Sequence, residues 1–294
     1  SLLPWRMPPI LLYAHETQLS YPQPSATEAD LHFAFTDVVN LLVANHAAFN
    51  SHSHRYSFLR ELPTFLRQFP EHKPMWAVQS IKQRTSVCYP GIAVEDVSEV
   101  ADERDAGSTT PPFTGSAGAD SNNGDNTPVI IWNHRWEFDK APESFFAALR
   151  AVKRRGCLFR LALLGENFKT LPPVFEEAKK EFSGEIVHFG YAPGREDYVR
   201  WLSRGSIVVS TAIQENFGIA IMEAIAHGCH PILPNRLSYP ELIPKALHSA
   251  CLYDSDEKLV DMLQERIALS SPHQLRSAQR RVGGIGTAAG LAAA

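Results

Sequence analysis

The stretch ENFGIAIMEAIAHGCHPILP at residues 215–234 constrains the fold more than any other part of the 294-residue chain. An apolar run rich in β-branched residues, SIVVSTA at 206–212, comes shortly before it, and a second apolar run begins after Gly228, where the helical pattern stops. This order predicts a strand, a turn, a helix and a second strand. Such a unit is typical of a parallel α/β sheet.

The turn of this unit combines two carboxylates with a glycine. Glu215 and Glu223 flank the Phe217–Gly218 pair, at which the helix is expected to begin. The first amides of a helix have no partners within it, and together with the helix dipole they attract phosphate. Gly218 lets a ligand approach the backbone. The side chain of Glu223 leans back toward the helix start, where a carboxylate accepts hydrogen bonds from sugar hydroxyls. The spacing fits a site for a phosphorylated sugar, and it fits an ordinary capped helix with two surface acids equally well.

Strands and helices alternate through the rest of the second half of the chain. Strands are predicted at 129–132, 159–164 and 186–189, and helices at 143–155, 173–182, 195–204 and 258–269. The alternation predicts a doubly wound α/β domain, in which ligands bind outside the carboxyl ends of the strands. The residues at those ends are His134–Arg135, Gly165–Glu166, Gly190–Tyr191 and Glu215.

A smaller α/β pattern comes first in the chain. Its predicted strands are at 10–14, at 86–89 and in a run that ends at Asn50–Ser51, and its predicted helices are at 31–42 and 54–69. Residues 95–127 are rich in Gly, Ser, Thr, Pro, Asn and Asp, which predicts a disordered insertion or linker. The expected organisation is a first domain at 1–94, the linker at 95–127, a second domain at 128–275 and a low-complexity tail at 276–294.

The charge and the cysteines exclude several classes of protein. The net charge of -4 and the pI of about 6.3 leave no overall polycation to bind nucleic acid. Local basic clusters at 153–155, 179–180 and 276–281 are interpreted as solvated helix faces rather than RNA contacts. The four cysteines have no C-x-x-C spacing, which indicates neither a zinc site nor a disulfide framework and favours a reducing cytosol. No apolar run is long enough to predict a transmembrane helix.

Two cations follow the first strand of the second domain. Arg135 and Lys140 lie five residues apart on a predicted strand-to-helix loop. Both can converge on one diphosphate, which Arg135 would contact through two nitrogens and Lys140 as a point charge. A solvated loop is the alternative interpretation of the same residues.

Two short motifs look like metal sites, but helix starts explain them better. Asp254–Ser255–Asp256 forms a D-x-D just before the helical run at 258–269, and it is predicted to cap that helix. His52 and His54 have no third ligand nearby in the sequence, and they are predicted to begin a helix. No metal is therefore expected.

The turn motif also carries a family resemblance. E-x-F-G-x-x-x-x-E-A-x-A-x-G, from Glu215 to Gly228, resembles the signature of retaining GT-B glycosyltransferases of the glycogen-synthase and mannosyltransferase group. The resemblance implies an α/β fold of two Rossmann-like, doubly wound domains. It also implies that Glu223 binds the donor ribose, that Glu215 contacts the transferred sugar and that the turn amides hold the phosphates.

The same group carries a G-R-x-x-x-x-K-G phosphate clamp where Arg135 and Lys140 stand. In this chain Asn133–His134 and Ala141 replace the glycines of that clamp, while both cations are retained. The resemblance implies that Arg135 and Lys140 neutralise the charge on the departing diphosphate. The departing phosphate would itself take the proton of the acceptor in a front-face attack.

Three further stretches resemble one family within this group, the tRNA-queuosine mannosyltransferases. They are W-N-H-R-W-E-F-D-K-A-P at 132–142, H-E-x-Q-L-x-Y-P at 15–22 and F-N-S at 49–51. The resemblance covers about residues 10–92 and 128–260. It implies transfer of mannose from GDP-mannose, with retention at the anomeric carbon, to the cyclopentenediol of queuosine at the wobble position of tRNA-Asp. The first domain would then lie on the acceptor side, and the second would bind the nucleotide sugar.

The resemblance gives each candidate residue an expected role. The catalytic residues would be Arg135, Lys140, Glu215 and His15. Donor binding would involve Asn216, Phe217, Gly218, Ile219, Glu223, Gly165, Gly190 and Tyr191, and acceptor binding would involve Glu16 and Gln18. From the residues alone, His15 also fits contact with the acceptor or a loop histidine that orients the backbone. Glu16 fits a cap of the next turn as well as contact with acceptor hydroxyls.

The expected partners are the nucleotide-sugar donor and tRNA, without a membrane, a metal or another cofactor. The expected location is the cytoplasm, with the nucleus as a second place. The sequence does not fix an oligomeric state.

One expected feature of the first domain is missing. A GT-B first domain normally opens with a strand and a glycine-rich loop that faces the donor, and no such loop is visible in the 90 residues or so before the linker. This predicts an incomplete N-terminal domain and a truncated chain. Two alternatives to tRNA-queuosine mannosylation therefore stay open: a GT-B transferase with a lipid or glycan acceptor, and a non-catalytic protein that binds a nucleotide sugar or tRNA.

Overall fold

The computed structural model describes residues 8–21, 31–94, 127–165 and 171–269. Contacts divide the chain into two compact units. The N-terminal unit holds residues up to 90 together with 213–218 and 236–242, and the C-terminal unit holds the remainder. The predicted linker, apart from Thr127, lies outside the described residues, as do the predicted tail and Glu166.

A parallel sheet of three strands carries the N-terminal unit. The strands β1 (Leu11–Ala14), β2 (His46–Phe49) and β3 (Thr85–Val87) lie in the order β1-β2-β3. The helices α1 (Leu31–Val43), α2 (His52–Leu66) and α3 (Trp76–Gln83) connect them. Apolar side chains of these elements form one core, which includes Val38, Leu41, Phe49, Phe58, Leu62 and Ile81.

Helix α2 begins where its capping residue stands. The side chain of Ser51 accepts a hydrogen bond from the backbone N–H of His54, as expected for an N-cap. The prediction that His52 and His54 begin a helix is therefore confirmed. Helix α3 was not predicted, because it has only eight residues and buries only Ala77 and Ile81, too few to show a helical period.

The C-terminal unit is built on a parallel sheet of six strands. The strands are β4 (Val129–Trp132), β5 (Arg160–Leu164), β6 (Ile186–Gly190), β7 (Ile207–Val209), β8 (His230–Pro234) and β9 (Leu252–Tyr253). The helices are α4 (Pro142–Arg154), α5 (Pro173–Glu181), α6 (Arg195–Arg204), α7 (Ile219–Ala226), α9 (His248–Cys251) and α10 (Asp256–Ala268). The short helix α8 (Tyr239–Leu242) belongs to the N-terminal unit.

The strand order is β6-β5-β4-β7-β8-β9, which is the doubly wound order of a Rossmann-like sheet. The predicted α/β fold class is confirmed. The chain reverses its direction of winding between β4 and β7, and ligands in such sheets bind outside the carboxyl ends of the strands at that point. The strand predicted at 206–212 is shorter than expected, because hydrogen bonding to β8 in the ladder covers only Ile207–Val209.

Aromatic packing fixes the loop that follows β4. Trp132, the last residue of β4, stacks on Phe145 with 5.6 Å between ring centroids. Trp136, four residues further along, stacks on Phe175 at 4.3 Å and is 3% exposed. The loop between the two tryptophans, which contains Asn133, is therefore held at both ends by the core.

Candidate active site

A glycine allows the β4 loop to cross the end of β5. A Cβ atom built on Gly165 would lie 2.1 Å from the backbone oxygen of His134, so that any larger residue would displace the loop. Gly165 is thus explained by packing. Its predicted part in donor binding stays a prediction.

The two predicted phosphate-binding cations have different surroundings. The side chain of Arg135 is 52% exposed, and its Nη1 lies 3.2 Å from Oε2 of Glu137. The side chain of Lys140 is 9% exposed, and its Nζ lies 3.1 Å from Oδ2 of the buried Asp139. The backbone at Lys140 is fixed as well, because the hydroxyl of Thr211, just beyond β7, donates to its carbonyl at 2.8 Å. The structure therefore presents one exposed and one buried cation after β4.

His134 stands where the GT-B clamp has a small residue, and it is uncharged. Burial, and to a lesser extent the positive charge of Lys140, lower the pKa of His134 to about 3. Its ring contacts Trp132 edge-on at 5.3 Å. A neutral, buried His134 adds no charge to the loop, so Arg135 and Lys140 alone supply the positive charge there.

Glu223 is held by two residues of α6. Its Oε1 lies 2.7 Å from Nη1 of Arg195, and its Oε2 accepts a hydrogen bond from the hydroxyl of Tyr198 at 3.2 Å. The amide nitrogen of Asn133 donates to the Tyr198 oxygen at 3.0 Å and to the carbonyl of Ala220 at 2.7 Å. Burial, and then the charge of Glu223, raise the pKa of Tyr198. A chain of hydrogen bonds thus runs from the β4 loop to the predicted ribose-binding carboxylate.

A cavity of about 320 Å³ opens beside this network. It lies at the carboxyl ends of β5 and β6 and at the start of α6, and its lining includes Gly165, Tyr191, Ala192, Gly194, Arg195 and Tyr198. Gly165 and Tyr191 were predicted to bind the donor, and the structure brings them together. Gly190, the last residue of β6, has a φ of 121° that a side chain would rarely adopt.

Arg195 and Tyr198 were missed by the sequence reasoning. They are three residues apart at the start of a predicted helix, so they face the same side of it. Their position just after the end of β6 is a signal that could have found them, since loops at strand ends build ligand sites in this fold.

The turn that carries Glu215 belongs to the N-terminal unit. Backbone amides of this turn bind the Glu215 carboxylate. Oε1 of Glu215 accepts hydrogen bonds from the backbone N–H groups of Asn216 at 3.1 Å and Phe217 at 3.4 Å. These are two of the amides that were predicted to hold phosphate. A carboxylate already occupies the place at which an anion was expected.

Helix α7 begins one residue later than predicted, at Ile219. Gly218 has a φ of 92°, which ends the turn in a conformation that is not helical. A Cβ atom at Gly218 would also lie 3.1 Å from the Tyr239 ring. Phe217 is buried, and its carbonyl accepts a hydrogen bond from the hydroxyl of Ser238 at 2.9 Å.

A second hydrogen-bonded chain fixes the loop that carries His15. The side-chain nitrogen of Asn50 donates to the His15 carbonyl at 2.8 Å. The Asn50 oxygen lies 2.8 Å from Nδ1 of His54, and Nε2 of His54 lies 2.9 Å from the hydroxyl of Thr17. Burial lowers the pKa of His54 to about 4, so its ring is neutral near pH 7. A neutral imidazole has one donor and one acceptor, so Nδ1 donates to Asn50 and Nε2 accepts from Thr17.

The predicted acceptor residues lie directly after His15 on the surface of the N-terminal unit. Nε2 of Gln18 donates to Oε1 of Glu16 at 3.2 Å, and the backbone N–H of Gln18 donates to Asp37 at 2.7 Å. The pKa of Asp37 is raised, mainly by burial and also by the charge of Glu16, although the hydrogen bond from the Gln18 backbone opposes this shift. His15 packs its ring against Tyr13 at 4.7 Å. The H-E-x-Q stretch is therefore an ordered loop.

The D-x-D motif is a helix cap, as predicted. Ser255 accepts a hydrogen bond from the backbone N–H of Lys258 at 3.2 Å, and α10 starts at Asp256. Among the residues that the structure describes, no group of three or more His, Cys, Asp or Glu side chains is arranged to hold a metal ion. No helix in the described ranges is long and apolar enough to span a membrane.

The basic clusters on α4 and nearby are ion-paired at the surface. Lys153 lies 2.8 Å from Glu185, and Arg155 lies 2.7 Å from Asp261. Lys179 lies over the ring of Phe189. This is the arrangement expected of solvated helix faces. The cluster at 276–281 lies outside the described residues.

Comparison with known proteins shows the class of this chain. Residues 118–281 match the sequence model of the family described as glycosyl transferases group 1, and this match covers more than half of the chain. The chain therefore belongs to the glycosyl transferases group 1 family. Residues 3–92 match a second model, described as tRNA-queuosine alpha-mannosyltransferase N-terminal.

A curated relative agrees with both matches. A tRNA-queuosine alpha-mannosyltransferase of Drosophila melanogaster is 32% identical over 235 residues, which are 80% of this chain and 59% of the relative. The present chain thus spans less than two thirds of that relative's length. The resemblance to this group of enzymes, expected from H-E-x-Q-L-x-Y-P and W-N-H-R-W-E-F-D-K-A-P, is confirmed.

Solved structures support the fold. The sucrose-phosphate synthase of Thermosynechococcus elongatus has a TM-score of 0.63 at 15% identity, over 95% of this chain and 63% of that one. The protein Alr3699/HepE of Anabaena, solved with UDP and glucose, has a TM-score of 0.60 at 14% identity, over 95% of this chain and 67% of that one. WaaG, a glycosyltransferase involved in lipopolysaccharide biosynthesis, has a TM-score of 0.59 at 13% identity, over 96% of this chain and 71% of that one. At these identities the likeness shows the GT-B fold alone.

Proposed function

We propose that this chain transfers mannose from GDP-mannose to queuosine at the wobble position of tRNA-Asp, with retention at the anomeric carbon. The observation that carries this proposal is the match of residues 3–92 to the N-terminal model of tRNA-queuosine alpha-mannosyltransferases. A general donor-binding domain is shared by many glycosyltransferases, whereas the model that matches the N-terminal residues is described by one acceptor nucleoside. The Drosophila relative supports it across both units of the chain.

The nucleoside of the donor is assigned to the cavity beside α6. Tyr191 is 64% exposed and offers a ring face on which a base can stack. Glu223, next to the cavity wall at Tyr198, offers carboxylate oxygens to the ribose hydroxyls. Both assignments use residues within the C-terminal unit.

The diphosphate is assigned to the cations after β4 in the C-terminal unit. Arg135 is exposed enough to move from Glu137 onto a phosphate, and Lys140 supplies a fixed charge. The start of α7 at Ile219, in the same unit, is the proposed amide donor. The predicted donor contacts of Glu215, Asn216 and Phe217, which lie in the N-terminal unit, stay predictions.

The proposed reaction breaks the bond between the anomeric carbon and the diphosphate oxygen. A hydroxyl oxygen of the queuosine cyclopentenediol forms the new bond on the same face of the sugar. The leaving phosphate oxygen takes the proton of that hydroxyl, so GDP departs with this proton. Arg135 and Lys140 stabilise the charge that develops on the leaving group, and no metal or other cofactor takes part.

The N-terminal unit is proposed to present the acceptor. Glu16 accepts hydrogen bonds from the hydroxyls of the cyclopentenediol, and Gln18 donates hydrogen bonds to them. His15 contacts the sugar or the acceptor. The fixed backbone of the His15 loop supports this assignment, because a site held by buried hydrogen bonds keeps its geometry without ligand.

Mass spectrometry of tRNA tests the proposal. Queuosine-modified tRNA-Asp is incubated with the protein and GDP-mannose, and a gain of one hexose on queuosine is expected. The same tRNA with guanosine at the wobble position is the control and should gain nothing. Transfer to a lipid or glycan acceptor only, or GDP binding without any transfer to queuosine, would contradict the proposal and favour another acceptor or a non-catalytic binding role.

A further inference from the structure

The hydroxyl of Tyr198 has a defined direction. The nitrogen of Asn133 can only donate, so at their 3.0 Å contact the Tyr198 oxygen accepts. The single proton of the phenol is then directed at Oε2 of Glu223, 3.2 Å away. Asn133 itself is oriented by Ala220, whose carbonyl 2.7 Å away can only accept. The direction of each hydrogen bond from Asn133 through Tyr198 to Glu223 is therefore fixed.

Glu223 is held at both oxygens, and its side chain, which is 14% exposed, keeps capacity to accept further hydrogen bonds. Arg195 contacts Oε1 and Tyr198 contacts Oε2. A carboxylate offers about four acceptor positions in total, so each oxygen keeps capacity for a further hydrogen bond. Vicinal ribose hydroxyls are two donors side by side, which a carboxylate of fixed orientation accepts best.

The network also ties the carboxylate to its own helix. Ala220 lies in the first turn of α7 and Glu223 in the second, so Asn133 bonds to the backbone of the helix that carries the carboxylate. Asn133 directly follows β4, a central strand of the sheet, so its hydrogen bond connects the helix that carries Glu223 to the centre of the sheet. A flexible glutamate side chain is thereby given one orientation.

We infer that Tyr198 and Asn133 are positioning residues that set the Glu223 carboxylate for the two ribose hydroxyls of the nucleotide donor. This inference rests on the proposed function, in which Glu223 binds the ribose. Tyr198 contributes through Glu223 rather than by touching the ribose. Its loss should therefore matter most for ligands that carry ribose hydroxyls.

Titration calorimetry with two nucleotides tests the inference. GDP and 2′,3′-dideoxy-GDP are titrated into the full chain and into Tyr198→Phe, Asn133→Ala and Glu223→Ala. The parent should bind GDP on the order of tenfold more tightly than the dideoxy nucleotide, the effect of about one well-placed hydrogen bond to a charged group. Glu223→Ala should abolish this preference, and Tyr198→Phe and Asn133→Ala should remove most of it, so that the ratio of the two affinities falls toward one.

Tyr253→Phe is the matched control. Tyr253 is buried in the same unit and donates to the carbonyl of Ser210 at 2.9 Å, so the substitution removes a buried phenol hydroxyl away from Glu223. It should lower stability and keep the preference for GDP. A merely structural role of Tyr198 would make the two Tyr→Phe variants behave alike.

The outcomes separate this inference from the proposed function. A parent protein that binds neither nucleotide, or binds both equally, overturns the ribose assignment and the positioning role with it. A parent that prefers GDP, with the preference lost in Glu223→Ala but kept in Tyr198→Phe and Asn133→Ala, overturns the positioning role alone.

Discussion

Each unit of the molecule contains a buried chain of hydrogen bonds, the N-terminal chain of hydrogen bonds in one unit and the C-terminal chain of hydrogen bonds in the other. The two chains of hydrogen bonds fix different groups. In the N-terminal unit, Asn50 and His54 hold the His15 loop by its backbone carbonyl. In the C-terminal unit, Tyr198 holds the Glu223 carboxylate itself. The first arrangement fixes a loop and leaves its side chains replaceable, whereas the second makes the functional group part of the network.

The two chains also differ in what can disturb them. The N-terminal chain passes through a histidine whose pKa is lowered to about 4, so acid can protonate it. The C-terminal chain of hydrogen bonds passes through a tyrosine, which keeps its proton in acid, and its raised pKa keeps that proton at high pH as well. The N-terminal chain of hydrogen bonds depends on side chains from three segments, with Thr17 after β1, Asn50 after β2 and His54 in α2. The C-terminal chain of hydrogen bonds also depends on the backbone crossing at Gly165.

The largest effect is expected from Asn50→Ala. The substitution removes both the donor to the His15 carbonyl and the acceptor for His54, and leaves two polar groups without their partner. The free energy of unfolding should fall by about 4 kcal/mol, from about 2 kcal/mol for each such group. Urea denaturation measures it. The control is Asn45→Ala, whose side chain accepts a single exposed hydrogen bond from the backbone of Ile10, and it should lose less than about 1 kcal/mol. Equal losses in both variants would show that the N-terminal chain is not a special support.

Acid should weaken the N-terminal chain next. His54 has a folded-state pKa of about 4 against an ordinary value of 6.5, so below pH 6.5 the unfolded chain binds a proton that the folded chain does not. The free energy of unfolding should therefore fall as the pH is lowered from 6.5 to about 4. Below about pH 4, His54 should cause no further decrease. At pH 4, the loss in the free energy of unfolding that is due to His54 should be roughly 3 kcal/mol.

Chemical denaturation of the parent and of His54→Gln across this pH range measures that share. His134 and His230, with pKa values lowered to about 3 and about 4, also destabilise the C-terminal unit in acid. The parent should therefore lose stability more steeply than His54→Gln, by about one proton. Parallel curves for the two proteins would contradict the neutral, buried state of His54.

A smaller loss is expected from Gly165→Ala. The new Cβ atom would lie 2.1 Å from the His134 carbonyl oxygen, so the loop with Asn133 must shift. The free energy of unfolding should fall by about 2 kcal/mol, as measured by urea denaturation. Gly184→Ala is the control, since no described atom lies within 4 Å of its Cβ position, and it should be close to neutral. A neutral Gly165→Ala would show that the β4 loop is not fixed by this crossing.

The smallest effect on stability is expected from Tyr198→Phe. Glu223 keeps Arg195, and Asn133 keeps the Ala220 carbonyl, so only part of the network is lost. A loss of about 1 kcal/mol in the free energy of unfolding is expected by urea denaturation. Tyr191→Phe, at a ring that is 64% exposed, should leave stability unchanged. A loss as large as that of Asn50→Ala would mean that the C-terminal chain is mainly structural.

Much of the fold could be predicted because its signals are local. The strand at 129–132 and the helix at 195–204 are found at the predicted residues, since a buried β-branched run and a 3.6-residue period are both read within a few neighbours. Helix α3 was not predicted, because its burial depends on a core assembled from distant elements.

The candidate site divides in the same way. Glu215, Gly218 and Glu223 were chosen from one contiguous motif, and the Gly218 conformation agrees with the choice. The partners of Glu223 could not be found so directly. Asn133 meets Tyr198 across 65 residues and Ala220 across 87, distances in sequence over which no local pattern operates.

The order of the amino acids is enough to predict the alternation of strands and helices, the position of the acidic and basic candidates at strand ends, and the family resemblance. These follow from periodicity and from short motifs, which depend on neighbouring residues. The folded arrangement was needed to show that Lys140 is buried beside Asp139 while Arg135 is exposed. It was also needed to show that Glu215 accepts hydrogen bonds from the amides of its own turn, and that Tyr198 and Arg195 hold Glu223. Burial and hydrogen bonding depend on which groups the folded chain brings together, and packing between distant segments alone sets that.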